Sequence, residues 1–289
     1  MFSEILHGLI DIHVHSNPGL FPRVVDDFQL AEEAVESKMK AVVVKAHGGS
    51  SVSRAILVNK KMNKDILIGS IVLNSFVGGL NPDAVDCEIK LGAKIVWMPT
   101  ICAKNHIEFY GRSGYHQMNT MKNLRPLKVL TIIDTNGELT KETKEIIEIL
   151  RDNNICMATS HISLQESKKL IDTALDMGYK KIILTHPEAD ITQIDLYTQK
   201  EIANRGIFVE KAYLWSTNKW NSCDIDEIAY NIKQIGAGSC VISTDFGSLG
   251  NPHPTEGFFN YINELLARDI TYKEIEVMAR KNPSYLLGI

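Results

Sequence analysis

Nine histidines punctuate this chain, and four of them, His15, His47, His161 and His186, each close a short apolar run rich in isoleucine and valine. An aspartate, Asp245, closes another such run. Imidazole nitrogen and carboxylate oxygen are ligands for first-row divalent metals, so side chains of this kind delivered to one place would form a metal site. His13 joins His15 as an HxH pair inside LIDIHVH (9–15). Residues at i and i+2 of a strand point to the same side, so both imidazoles can reach one ion. As plain core residues, each would need a polar partner in an apolar interior. Lys45 stands two residues before His47, on the same face of AVVVKAH (41–47). Glu210 lies beside Lys211 in GIFVEKA (206–212), where it can orient a ligand histidine, touch substrate, or form a strand-end salt bridge facing solvent.

These residues need elements that bring them together, and the rest of the sequence supplies them. Eight apolar runs read as strands: 9–15, 41–47, 66–74, 94–100, 155–161, 181–186, 206–212 and 239–245. Most are near-continuous in apolarity, as expected of parallel strands covered on both faces. Helical periodicity fills the gaps, for example over 29–40 behind Asp26 and Asp27 as cap candidates, over 164–177, and over 225–235. Gly92, Gly178 and Gly236 follow helices and precede strands. The pattern predicts an α/β chain folded as one (β/α)₈ TIM-type barrel over residues 1–289. A doubly wound sheet is the other possibility, but DIHVHSNPGLFP after the first strand is not a glycine-rich phosphate loop. In a barrel the C-terminal strand ends converge on one face, where the four histidines and Asp245 would meet. Between strands four and five lies an insertion of approximately 101–140. It reads as a long polar loop, Cys102 to Asn123, then a β-hairpin turning at Asn136-Gly137, with a helix resuming over 139–151 that has Thr140 and Glu142 near its start. Arg112 in that loop is a candidate anchor for an anionic substrate group, and the insertion itself reads as either a lid or a dimerisation arm.

Composition narrows the function classes. A net charge of −4 with no basic stripe argues against nucleic acid or an anionic membrane as partner, leaving a small-molecule substrate. No run approaches the length of a membrane span and no signal peptide is visible, which points to the cytoplasm. The five cysteines are scattered without a CxxC pair, so a disulfide framework or a cysteine zinc site is not expected. Dimers are common among barrels, and a homo-oligomer is possible.

Taken in order, HxH, His, His and Asp at the ends of strands one, five, six and eight make the chain resemble the amidohydrolase superfamily. The specific matches are DIHVH (11–15), ATSH (158–161), LTHP (184–187) and STDFG (243–247). It looks closest to a cytosolic amidohydrolase-related branch in which LNPDAV (80–85), KIVWMPT (94–100) and NPHPTEG (251–257) would recur. The resemblance implies a hydrolase of an amide, ester, lactone or phosphoester bond that works through metal-activated water. It implies that His13, His15 and Asp245 bind one metal, that His161 and His186 bind a second, and that Asp245 is the general base. The alternative for Asp245 is a helix cap before Phe246-Gly247. One or two divalent transition metals are expected, zinc first and manganese, iron or nickel after it. The chain departs from the common two-metal pattern, since the fourth strand ends WMPT and offers no bridging lysine or glutamate. Lys45 is then either a carbamylated bridge or a cation in the second metal's place, with His47 as ligand or substrate contact. His7, His106, His116 and His253 fall outside strand ends and read as surface residues. Two other readings stay open: a phosphoesterase of the polymerase-and-histidinol-phosphatase type, built on seven strands, and a metal-binding scaffold without catalysis.

Overall fold

Apolar residues that alternate between two buried faces build the sheet. Strands β1 (Ile10–Val14), β2 (Ala41–Val44), β3 (Leu67–Val72), β4 (Ile95–Trp97), β5 (Cys156–Ala158), β6 (Ile182–Leu184), β7 (Phe208–Ala212) and β8 (Cys240–Ser243) appear in the computed structural model, which describes residues 2–111 and 125–289. Each strand pairs in parallel with the next in sequence. Just past the last strand, Asp245 N donates to His13 O and His15 N to Phe246 O, both at 2.8 Å, drawing β8 back to β1. The result is a nearly closed barrel with helices between the strands, as the sequence predicts, and with eight strands rather than seven.

Ile10, Ile12, Val43, Ile95, Trp97, Cys156, Ile183 and Val241 fill the inside of the barrel, while Val42, Val44, Val96, Ile182 and Leu184 face the helices. Leu286 and Leu287 of the last helix, Asn282–Leu287, join the inner cluster beside Ile10 and Ala41, which open their strands. The amphipathic helices begin where their caps say they should. Asp26 caps Asp27–Glu36 in a reciprocal box with Gln29, and Ser163 does the same for Leu164–Asp176 with Glu166. Asp27 is not a cap: its carboxylate accepts from Ser16 Oγ and from Arg54.

The ladders are shorter than the apolar runs. The four histidines and Asp245 sit one to three residues beyond the last paired residue, where the chain is already turning into the loops. His186 (φ 28°) and Asp245 (φ 55°) occupy the left-handed region that non-glycine residues rarely adopt. The insertion also differs from its sequence reading. Lys104–Tyr110 is a helix inside the expected loop, and the expected hairpin is reduced to one antiparallel bridge, Ile133 to Leu139, around the Asn136-Gly137 turn. The helix after it, Lys141–Asp152, begins two residues later than the sequence suggests, because Thr140 is its cap rather than part of its first turn. Arg112 lies outside the described residues.

Candidate metal centre

A bulge in β1 aims the HxH pair. Asp11 pairs with Val42 and Val14 with Val44, so β1 spends one more residue than β2 over the same stretch. The extra residue lets His13 point inward directly after the inward Ile12 and lets Val14 return to the outer face, with His15 inward again beyond it. Asp11 anchors the bulge from outside, accepting from His13 N at 3.1 Å and from Thr244 Oγ1 at 2.5 Å. Burial pushes the Asp11 carboxyl up to about 7, against the pull of Thr244. Gly247 completes the junction. A Cβ there would stand 1.9 Å from His15 O, at a φ of +132°, so only glycine lets the loop after β8 approach the first strand this closely.

The three residues most expected to share an ion do converge. Asp245 Oδ1 is 2.9 Å from His13 Nε2 and 3.0 Å from His15 Nε2, and all three residues are buried. Their donor atoms lie within 4.8 Å of one another. Glu210, fully buried, takes His13 Nδ1 at 2.8 Å on one oxygen, which also accepts from Ser243 Oγ, and accepts from His186 N on the other. Glu210 therefore points into the centre, and its reading as a solvent-facing ion pair is wrong. Its neighbour Lys211 points outward instead, into a buried ion pair with Glu188. Lys45 Nζ reaches His13 Nε2 at 3.0 Å and lies 4.4 Å from the centroid of the Trp97 ring.

Burial dominates the electrostatics. It pushes His15 down to about 3, His186 to about 4 and the Lys45 ammonium to about 8. His13 moves the other way: burial lowers it, but the Asp245 and Glu210 carboxylates prevail. Asp245 is raised by burial and pulled well below the usual carboxylate range by His13 and His15. A ring with a hydrogen on Nδ1 for Glu210 and another on Nε2 for Asp245 is a cation, which is the state those carboxylates favour. The same two carboxylates would favour a metal cation in place of the Nε2 proton.

His47 stacks on His15 with centroids 4.8 Å apart, and its Nδ1 meets Thr100 Oγ1 at 2.9 Å. Asn74 Nδ2 donates to that hydroxyl at 2.7 Å. His161 and His186 lie edge to face, 5.1 Å apart. Neither ring nitrogen of His186 has a hydrogen-bond partner among the described residues, although the side chain is fully buried. Such a ring is costly unless something binds it, so the orphaned imidazole and the His13, His15, Asp245 cluster together fit a centre for divalent transition metals. His15, Lys45, His47, His161 and Asp245 line a cavity of about 20 Å³, room for a water or an ion.

Several residues here were not picked out from sequence. Arg23, from the loop after β1, lines the same cavity, and its Nη1 donates to Ser248 Oγ at 3.2 Å. Leu214, Trp215 and Trp220 form an apolar wall. His106, read as a surface residue, is fully buried with Nδ1 2.8 Å from His161 Nδ1. The helix that carries it reads as loop in the sequence because its inward stripe, His106 and Tyr110, contains a polar residue. Their i, i+4 spacing was the available signal. His7 and His253 are exposed, as expected, and His116 lies outside the described residues.

A family model described as a family of unknown function, DUF6282, matches residues 8–210. The chain belongs to that family. The match spans β1 to Glu210 of β7, so the DUF6282 segment holds every candidate ligand except Asp245. No curated protein matches the chain significantly. Among solved structures, an amidohydrolase from Pseudomonas aeruginosa is similar over 100% of this chain and 99% of its own, with 15% identity and a TM-score of 0.66. A probable dipeptidase from the same organism covers 99% of this chain and 96% of its own at 11% identity and a TM-score of 0.67. A probable 2-pyrone-4,6-dicarboxylic acid hydrolase from Acinetobacter baumannii covers 98% and 100% at 12% identity and a TM-score of 0.61. These are amidohydrolase-superfamily structures, and at such identities what the DUF6282 chain shares with them is the fold.

Proposed function

We propose that this chain is a metal-dependent hydrolase of small molecules, with Asp245 as general base. The observation that carries the reading is the convergence of His13 Nε2, His15 Nε2 and Asp245 Oδ1 at the mouth of an amidohydrolase-type barrel. His13, His15 and Asp245 would hold one divalent ion, and His161 and His186 would hold a second. Such an ion supplies a Lewis acid and lowers the pKa of a bound water toward neutrality. Glu210 holds His13 by Nδ1 and so keeps Nε2 turned to the centre. Asp245, kept anionic by the two histidines, accepts the proton given up during attack. Asn74 donates to the Thr100 hydroxyl, whose own hydrogen can then go to His47 Nδ1, an arrangement that would put the His47 proton on Nε2. In this reading His47 is a substrate hydrogen-bond donor rather than a ligand. The 3.0 Å approach of Lys45 Nζ to His13 Nε2 supports a place for Lys45 in the centre, as a carbamylated bridge or as a cation. Arg23 and Lys45 give the cavity a basic character and the tryptophans exclude water, which supports a substrate with an acidic group on an apolar body. The bond cleaved is an amide, ester, lactone or phosphoester.

The test is Asp245→Asn. This variant should keep its metal and its fold while turnover falls at least about 100-fold on any substrate found in a hydrolase panel. Retained turnover would remove Asp245 as base. Metal binding by a wild-type protein inert on every substrate class would favour the scaffold instead.

A further inference from the structure

The fourth strand brings no metal ligand of its own, since Trp97, Met98, Pro99 and Thr100 end its run. The helix after it, Lys104–Tyr110, brings a histidine. His106 is fully buried, its ring nearly parallel to that of His161 with centroids 4.9 Å apart and the two Nδ1 atoms 2.8 Å apart. The helix is tied down on both sides of this contact. Asn105 Nδ2 donates to His161 O at 3.3 Å and Ile191 O at 3.0 Å, and Tyr110 Oη donates to Asp190 Oδ1 at 2.5 Å. Those bonds fix the helix to the loops that follow β5 and β6, the loops carrying His161 and His186. A leucine would fill the site of His106 without desolvating an imidazole, so the polar ring has work that an apolar side chain cannot do.

We infer that His106 is a positioning residue of the metal centre, accepting a hydrogen bond from His161 Nδ1–H so that His161 Nε2 keeps its lone pair for an ion. The inference rests on the proposed reading of His161 as a ligand. Its direction follows from imidazole chemistry, because a neutral ring carries one hydrogen. If His106 were the donor, the His161 hydrogen would sit on Nε2 and close that atom to a metal. Metal-binding histidines direct their second ring nitrogen at a fixed acceptor, a role Glu210 fills for His13 and His106 fills for His161. The two acceptors differ in charge. Glu210 is an anion and His106 is neutral, so the position served by His161 takes its ion more weakly than the position served by His13 and Asp245.

Calorimetric titration of chelator-stripped protein with zinc tests this in the wild type and in the His106→Leu and His106→Asn variants. Leucine removes the acceptor while filling space, and asparagine keeps an acceptor oxygen on a shorter side chain. Two zinc equivalents are expected in the wild type, the second weaker. His106→Leu should keep the first and weaken the second by about 10- to 100-fold, with His106→Asn recovering part of that loss. Equal losses in both variants would make His106 a packing residue and overturn the inference. So would a leucine variant that binds like the wild type, or a wild type that takes one equivalent. A wild type that takes no zinc at all would remove the hydrolase reading along with it.

Discussion

Replacing Glu210 by Gln tests how the first-strand histidine is held. The carboxylate accepts from His13 Nδ1 at 2.8 Å, from Ser243 Oγ at 2.7 Å and from His186 N at 3.0 Å, all in a fully buried setting. A glutamine has one acceptor oxygen to offer. With that oxygen toward His13 and Ser243, its amide nitrogen faces the His186 N–H, and a buried donor is left unmet. With the oxygen toward His186, the amide hydrogen forces His13 Nδ1 to accept and moves the His13 proton onto Nε2. The unmet donor costs about 1–3 kcal/mol, and losing the charge from the His13 bond costs about 1 kcal/mol more. Metal-free Glu210→Gln should therefore be less stable by about 2–4 kcal/mol at pH 7. Its zinc affinity should fall about 10- to 100-fold through the loss of the orienting carboxylate. Glu210 is raised by burial but drawn below its ordinary value by His13, so its folded pKa is depressed. Its contribution is then full above the unfolded pKa and is lost as pH falls through the folded one. The gap between wild type and variant should close below about pH 4. Urea unfolding across pH and zinc titration against a competing chelator measure both quantities. A variant equal to wild type in stability and zinc affinity would refute the orienting role of Glu210.

Arg23→Gln should raise KM about 10- to 100-fold for substrates carrying a carboxylate, with kcat little changed, since a charged hydrogen bond contributes about 1.5–3 kcal/mol. Steady-state kinetics on paired acidic and neutral substrates would show it, and equal effects on both members would remove Arg23 from recognition. Lys45→Ala should change both metal content and turnover, because Nζ lies 3.0 Å from His13 Nε2. Elemental analysis and activity that match wild type would take Lys45 out of the centre in either of its proposed forms.

How much of this was legible in the sequence depends on which force placed each residue. The strands and the facing of His13, His15, His47, His161, His186 and Asp245 could be read because burial on both faces imposes continuous apolarity and the barrel brings like ends together. The β1 bulge could not, since nothing in DIHVH marks which residue is unpaired; its anchor, Asp11, is held by Thr244, more than two hundred residues away. Glu210 was ambiguous because alternation alone cannot say whether Glu210 or Lys211 of EK faces inward. The structure resolves it through Ser243 and His13 on one side and Glu188 on the other. Nothing in the local pattern marks His106 or Arg23, because each sits in a loop-like stretch where tertiary contacts decide burial.

A barrel that holds a catalytic metal at His13, His15 and Asp245 should carry that metal through purification. Metal content per chain, by elemental mass spectrometry on protein purified without chelator or a nickel column, tests it most directly. The wild type should carry about one or two equivalents of a divalent transition metal, lost in the His13→Ala, His15→Ala double variant. A wild type that stays metal-free after reconstitution with zinc or manganese, or a double variant that keeps its metal, would contradict it.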